Sequence, residues 1–318
     1  MKHVFILNPA AGKHQGALQV QPQAEAFFEA HPMEHAFFVT SHPGEATEIA
    51  KRECAEGHVR VYACGGDGTV LEVLNGLKDA PHTELASVPC GSGNDFLRIM
   101  PQAPLFHDIA SLICGRARPV DVIRCDDRLS LNMCSMGMDA TVADRMGRYK
   151  HWPLVSGSMA YNLAVARTFF GKLGQKLRII METDQGTVER EGDYLFALAA
   201  NGQYYGGGYK GSPLSQPDDG VLDFVLIKTV SHFGVLRLLD KYKKGLHLDL
   251  PCCEMFRGTS MRVLAETPAV VTADGECFST TDVSFSILPG AVSFVFPAET
   301  QEEMLNFCEK SDFSQIKA

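Results

Sequence analysis

Basic charge is scarce in this sequence: 29 lysines and arginines face 38 aspartates and glutamates, a formal net charge of −9 with the histidines neutral. Recognition of a phosphate backbone needs a basic face, so the charge balance argues against nucleic acid as a main partner and equally against a strongly electrostatic membrane anchor. The ten cysteines contain no C-x-x-C pair, and the adjacent Cys252 and Cys253 suit neither zinc nor a routine disulfide. Reduced, mostly buried thiols in the cytosol are expected. No apolar run reaches the roughly 18 to 20 residues needed to cross a bilayer, and the start, Met1 to Asn8, enters a strand at once, without a charged lead and a long apolar core. The expectation is a cytoplasmic protein that associates with membranes only transiently. Internal repeats, low-complexity tracts and long linkers are also lacking.

What is present is ordinary globular composition, 45% hydrophobic and 21% charged over 318 residues, with room for two cores. As far as Asp121, short apolar strands (Val4 to Leu7, Phe37 to Thr40, Val59 to Cys64, Leu85 to Val88) alternate with helical patterns (Gln15 to Ala30, Gly44 to Glu56, Val70 to Leu77, Phe106 to Cys114). This predicts an α/β N-terminal domain over residues 1–121, a parallel sheet with helices on both faces, joined by a returning tail at 298–318 that is helical over Gln301 to Glu309. Beyond it, Leu177 to Thr183, Tyr194 to Asn201, Val221 to Ile227, Ser260 to Ala265, Val283 to Leu288 and Val292 to Phe296 alternate as antiparallel strands do. They predict a mainly antiparallel β-sandwich C-terminal domain over 122–297, with helical insertions at Ser158 to Phe170 and Phe233 to His247.

Three glycine-rich turns punctuate the first part: Asn8-Pro9-Ala10-Ala11-Gly12, Gly65-Gly66-Asp67-Gly68-Thr69 and Gly91-Ser92-Gly93-Asn94-Asp95. Each follows an apolar run, and the last two are expected to lead into helices, the second through a Thr69-x-x-Glu72 capping box. Open α/β sheets bind ligands outside the carboxyl ends of their strands. A glycine turn there lets backbone N–H groups approach a phosphate, with the positive helix end behind. Asp67 is acidic where an anion is expected. It is either an Asx-turn residue or a carboxylate that meets a ribose hydroxyl or a Mg²⁺ ion. Lys13 is a mobile cation beside the phosphate position or a plain surface lysine, and Asn94 and Asp95 fit ordinary helix capping as well as ligand contact. Farther on, Gln216-Pro217-Asp218-Asp219-Gly220-Val221 places adjacent carboxylates in a tight turn, as a cation loop or a simple turn would. Ala273-Asp274-Gly275-Glu276 is an acidic turn able to supply a general base, or a hairpin.

As an ordered set from residue 8 to residue 276, these pieces resemble the diacylglycerol kinase catalytic-domain family, in particular the soluble bacterial lipid kinases related to sphingosine and ceramide kinases. Asn201-Gly202 with Gly206-Gly207-Gly208, and Asp218-Asp219-Gly220-Val221-Leu222-Asp223, complete the match. The resemblance implies an ATP-dependent kinase whose acceptor is a lipid hydroxyl, most often diacylglycerol, presented at a membrane surface through peripheral contact. It implies that Asn8, Pro9, Ala10, Ala11, Gly12, Thr40, Gly65, Gly66, Asp67, Gly68, Thr69, Glu72, Ser92, Asn94 and Asp95 hold ATP, with Asp67 also keeping its Mg²⁺ ion. Glu276 would take the hydroxyl proton, and Asp219 with the carbonyls of Gln216 and Val221 would bind a structural Mg²⁺. Ser92 stands where many members carry threonine, and Gln216 and Val221 fill variable positions. The stretches Trp152 to Phe170 and Phe233 to Leu246 are candidates for the lipid approach, or core. A homodimer is compatible with all of this. Two competitors remain: a soluble-substrate kinase of the NAD kinase or phosphofructokinase type, which shares the G-G-D-G-T turn, and a non-catalytic lipid-binding protein. Glu72-Val73-Leu74-Asn75 lacks the Asn-Glu pair of NAD kinases, and retention of Asp67 and Glu276 disfavours the second.

Overall fold

The computed structural model describes residues 1–12, 16–55, 57–78, 80–91, 93–149, 152 and 157–315. The chain divides into two compact units, Met1–Val120 with Gly290–Ala318, and Asp121–Pro289.

In the first unit β1 (Lys2–Leu7), α1 (Val20–Ala30), β2 (His35–Val39), α2 (Glu45–Cys54), β3 (Val59–Gly65), α3 (Asp67–Gly76), β4 (Thr83–Pro89) and α4 (Ile109–Ile113) follow one another. The strands pair in parallel in the order β2-β1-β3-β4, and the returning residues Ser293 and Phe294 lie parallel to Glu84 and Leu85 of β4. Residues Val4 to Leu7 are wholly buried, which is why β1 reads as an unbroken apolar run and not as an alternation. Phe5 and Tyr62, neighbours across β1 and β3, stack at 4.1 Å.

Three helical expectations shift. The first helix begins only at Val20, after a 3-10 turn at Gly16–Gln19, and its expected first residue, Gln15, lies outside the described residues. The stretch Phe106 to Cys114 breaks at Asp108 into a 3-10 turn and the short α4, because Asp108 is extended and its carboxylate accepts the N–H groups of Ala110 and Ser111. The third glycine turn leads into a single 3-10 turn, Phe96–Ile99, and not into a helix.

The second unit is entered along β5 (Arg116–Cys125). It is followed by β6 (Arg128–Ser130), β7 (Met133–Gly137), α5 (Met138–Tyr149), α6 (Gly157–Phe169), β8 (Gln175–Thr183), β9 (Gly186–Ala200), β10 (Leu222–Lys228), α7 (His232–Lys243), β11 (Cys253–Ala273) and β12 (Glu276–Phe296); α8 (Gln301–Gln315) closes the chain. Strand β9 pairs antiparallel with β7, β8 and β10, and β11 with β7, β8, β10 and β12. The alternation foresaw short strands here, whereas β11 and β12 each run 21 residues, with a break in their pairing register between Leu264 and Ala269. One core gathers Met181, Phe224, Met261 and Phe285. The other sets Val235, Leu238 and Tyr242 of α7 against Leu195, Leu198, Val225 and Ile227 of the sheet. Of the stretch Trp152 to Phe170, residues 153–156 lie outside the described residues. Among the described residues no helix is long and apolar enough to cross a membrane.

Candidate active site

The three glycine turns of the first unit interlock at the carboxyl ends of β1, β3 and β4. The backbone N–H groups of Cys90 and Gly91 both donate to the Gly65 carbonyl, at 2.8 and 3.1 Å. Gly12 adopts φ +77°, and a Cβ there would lie 2.1 Å from the Cys90 carbonyl oxygen, so only glycine fits. Asn8 joins the first turn to the second: its Nδ2 donates to Thr69 Oγ1 at 2.9 Å while its Oδ1 accepts the Ala10 N–H at 3.0 Å. Asp67 joins the second to the third, its Oδ1 accepting the Asp95 N–H at 2.9 Å, and a side chain on Gly93 would meet Asp67 Oδ2 at 2.1 Å. Asp95 in turn holds Arg98 at 2.8 Å, and Asn94, at φ 51°, donates to the Gly91 carbonyl at 3.0 Å. Ser92 and Lys13 lie outside the described residues.

Helix α3 starts at Asp67, ahead of the Val70 that the apolar spacing indicates. Gly66 is its N-cap, extended at φ −106° and ψ −168°, and it carries no side chain with which to cap the first N–H groups. The expected capping box is not made. Thr69 sits inside the helix, buried, with its hydroxyl accepting from Asn8, and Glu72 reaches across to α2, where its Oε2 accepts the Ala46 N–H at 3.3 Å. Thr40 is buried just beyond β2, its N–H donating to the Leu7 carbonyl at 2.9 Å.

In the second unit the Asp274-Gly275 turn links β11 to β12 with φ 45° and 97°, the two positive values of a two-residue hairpin. The Asp274 carboxylate accepts three consecutive backbone N–H groups, from Leu131 at 2.6 Å, Asn132 at 3.1 Å and Met133 at 2.8 Å. Burial pushes its carboxyl above the usual range, against the pull of those donors. Glu276, the first residue of β12 and Ala273's cross-strand partner, is exposed.

Of the expected Mg²⁺ ligands, Asp219 is engaged within the chain. Asp219 Oδ1 accepts the Val221 N–H at 3.2 Å, and Oδ2 meets the Arg257 guanidinium in a short ion pair. The same guanidinium reaches Asp223 Oδ1 at 3.0 Å, from the position directly opposite Asp223 across β10 and β11. Asp223 is almost fully buried; burial pushes its carboxyl up, against the pull of Ser215 and Arg257, and Ser215 Oγ donates to it at 2.7 Å. Gly220 N–H donates to Asp121 Oδ2 at 2.7 Å and the Pro217 carbonyl accepts the Asp121 N–H. A divalent cation wants several oxygen donors around one point. Here the Arg257 guanidinium pairs with both Asp219 and Asp223 and the Gly220 N–H takes an Asp121 oxygen, so these carboxylates, as placed, do not fit a structural Mg²⁺ ion.

Sequence reasoning missed Arg257, whose role depends on cross-strand register, and a polar knot around Asp139. Asp139 accepts from Ser135 Oγ at 2.7 Å and Tyr205 OH at 3.1 Å, and Tyr205 meets Tyr242 OH at 3.0 Å. The only sequence signal was the Tyr204-Tyr205-Gly206-Gly207-Gly208-Tyr209 string, in which the glycines turn the chain so that Tyr205 and Tyr209 bridge.

A parallel α/β unit with interlocked glycine turns, continued by an antiparallel β-sandwich-like unit, defines the structural class. The family model for the diacylglycerol kinase catalytic domain matches residues 2–125, and that for the YegS C-terminal NAD kinase beta sandwich-like domain matches 132–296. The chain belongs to the diacylglycerol kinase family of YegS-like lipid kinases. It is 30% identical over 297 residues to "Probable lipid kinase YegS-like" of Pseudomonas aeruginosa, covering 90% of this chain and 92% of that one. It is 28% identical over 307 residues to the diacylglycerol kinase of Mycobacterium tuberculosis, covering 93% and 95%. A Bacillus anthracis crystal structure assigned to the diacylglycerol kinases superposes with a TM-score of 0.72 at 25% identity, covering 93% and 97%. Membership in a kinase family implies phosphotransfer from ATP.

Proposed function

We propose that this protein is a lipid kinase that transfers the γ-phosphoryl group of Mg·ATP to the hydroxyl of diacylglycerol, giving phosphatidate, in the cytoplasm with transient membrane contact. The observation that carries the reading is the interlocking of three glycine turns around an α3 start that has no side-chain cap. Main-chain N–H groups and the positive helix end are then the natural holders of a polyphosphate. The names of the relatives favour a lipid acceptor over NAD or a sugar phosphate.

In the proposed in-line step the acceptor oxygen bonds to the γ-phosphorus, the bond to the β,γ-bridging oxygen breaks, and ADP leaves. The hydroxyl proton passes to Glu276. Asp274 cannot take that part, because its carboxylate is filled by three N–H donors. Glu276, exposed beside the turn, can. Asp67 places a negative charge near the polyphosphate, an arrangement stabilised when the substrate arrives as its Mg²⁺ complex. Catalysis rests on positioning and charge neutralisation.

The test is phosphorylation of a lipid extract by labelled ATP with identification of the product, beside parallel assays with NAD, sugar phosphates and sphingoid bases. Glu276→Gln is expected to keep nucleotide affinity and lose turnover. Labelled NAD or sugar phosphate without labelled lipid, or full turnover by the glutamine variant, overturns the reading or the role.

A further inference from the structure

Eight of the eleven exposed large hydrophobic side chains among the described residues belong to the second unit, and Met159, Leu163, Phe170, Phe233 and Leu236 lie on or just beyond α6 and α7. Among its described side chains α6 fully buries Ala160, Ala164 and Thr168, half-buries Tyr161, Val165 and Phe169, and turns Met159, Leu163 and Phe170 outward at helical spacing; Phe170 continues the helix by donating to the Ala166 carbonyl and is 81% exposed. A surface helix normally turns charged and polar residues to its outer face. Helix α7 buries Val235, Leu238 and Tyr242, and its opposite face presents Phe233, 63% exposed, and Leu236. The two helices meet where the rings of Phe169 and His232 approach to 5.2 Å, so the exposed Phe170 and Phe233 each sit one residue from that contact.

Cations frame this apolar surface. Over α6, α7 and the link after Phe170 the exposed Arg167, Lys172, Arg237, Lys241 and Lys243 face one acidic residue, Asp240, which Lys244 pairs at 2.9 Å. The Arg237 guanidinium lies 4.5 Å over the Phe233 ring. In a chain of net charge −9 this local inversion is specific. Beside it opens a cleft of about 80 Å³ lined by Thr141, Arg145, Thr168, Lys172 and Gln175, and none of its described lining residues is acidic. Gln175 Nε2 is buried there with no hydrogen-bond partner among the described residues, and Arg145 is held toward Thr168 Oγ1 at 2.8 Å. A lining that offers donors and positive charge suits an anion.

We propose that the outer faces of α6 and α7 dock this protein on a bilayer containing anionic phospholipid, with a headgroup phosphate in the cleft between Arg145, Lys172 and Gln175. Apolar side chains flanked by Lys and Arg are the composition that lies at a negatively charged membrane interface. A second copy of the chain is the poorer occupant, because a two-fold interface would set the same cations against one another. This extends the lipid-kinase reading, on which it rests, by naming the surface through which the acceptor is reached.

Flotation with vesicles of phosphatidylcholine alone, and of phosphatidylcholine with phosphatidylglycerol, tests it on the full chain. Wild type is expected to float only with the anionic vesicles and to be released by salt. Arg237→Glu with Lys241→Glu, and separately Phe170→Ser with Phe233→Ser, are expected to weaken that binding at least about tenfold. Both pairs are expected to keep the wild-type circular dichroism and the wild-type rate on a dispersed short-chain diacylglycerol. Equal binding to both vesicle types, no binding by wild type, or undiminished binding by both variants overturns the proposal, as does a dimer that the serine pair dissociates. Inhibition of flotation by soluble glycerol phosphate supports the cleft as the headgroup seat; no competition there, with undiminished binding by Arg145→Gln, removes the cleft from it. If the short-chain lipid is phosphorylated but vesicles are not bound, docking fails and the kinase reading stands. Vesicle binding without phosphorylation of any lipid leaves docking in place and removes the kinase reading.

Discussion

Two aspartates stand beside glycine turns in the two units, and they are used differently. Asp274 spends its carboxylate on three successive backbone N–H groups and fixes the β11–β12 hairpin against the segment before β7. Asp67 takes the Asp95 N–H, binds one turn to the next, and stays at the start of α3 where polyphosphate is proposed to lie. The same residue type in the same sequence context, Asp followed by Gly, is thus architectural in one unit and poised in the other. Backbone geometry decides: Asp274 occupies a left-handed hairpin position, whereas Asp67 is the first residue of a helix.

Substitution at Asp274 is expected to have the largest effect. Replacement by alanine leaves three N–H groups without their acceptor, at about 1–3 kcal/mol for each group that stays buried. We expect a loss of about 3 kcal/mol or more in urea unfolding, with Asp274→Asn, which keeps an acceptor and tolerates positive φ, recovering part of it. A wild-type midpoint for the alanine variant would deny Asp274 its structural part. Next comes Asp67→Ala, for which the expected loss is functional: a fall of about a hundredfold in kcat/KM for Mg·ATP, about 3 kcal/mol, with a much smaller change in unfolding. Unchanged kinetics with a cognate lipid would show that Asp67 is only a turn residue.

The contrast also marks what the sequence could tell. The strands of the first unit were readable because burial on both faces leaves an apolar signature, as in Val59 to Cys64, and the Asp274-Gly275 hairpin was readable because both its torsions are local. The Thr69-x-x-Glu72 pattern misled. It obeys the local rule, but Asn8, 61 positions away, claims the Thr69 hydroxyl, and α2 claims Glu72. Helix α5 went unread because Met138–Tyr149 is polar, contains Gly147 and buries only Ala140. Arg257 was invisible for the same reason as the Asn8 contact: pairing across β10 and β11, and not sequence spacing, sets it beside Asp223. What escaped is long-range contact, including the fit of Gly93 against Asp67.

A smaller effect is shared by the two units and can be separated by mutation. His247 is fully buried, with Nε2 against the Gly211 carbonyl at 3.1 Å, and burial pushes its imidazole down to about 4; His3, buried beside Arg60 and Tyr62, is pushed to about 3. In the unfolded chain each takes a proton near pH 6.5. Between that value and about 4 the unfolded state therefore binds more protons, so stability is full above pH 6.5 and falls as the pH is lowered. For His247 alone the loss by about pH 4.5 is about 2.5 kcal/mol. His247→Asn is expected to flatten the pH slope of denaturant unfolding in the second unit's contribution, and His3→Asn in the first's. An unchanged slope in both would mean that the protons are taken up elsewhere.

The smallest expected effect is the most discriminating for the second unit, because it is an effect of nothing. If the Asp218-Asp219-Gly220 turn held a resident Mg²⁺ ion, a concentration about one hundred times its Kd would add about 2.7 kcal/mol, and chelation would lower Tm by several degrees. The Arg257 guanidinium instead supplies the positive charge from within the chain, joined to both Asp219 and Asp223. Without nucleotide, wild-type Tm should be the same in millimolar Mg²⁺ and in EDTA. Arg257→Gln leaves buried Asp223 without its partner charge, so its Tm should fall, and Mg²⁺ should now restore part of the difference through the freed carboxylates. A wild-type Tm that drops in EDTA would return the metal to this turn and make Arg257 its companion; a variant indifferent to Mg²⁺ would show that the turn depends on the cross-strand ion pair and has no latent cation site.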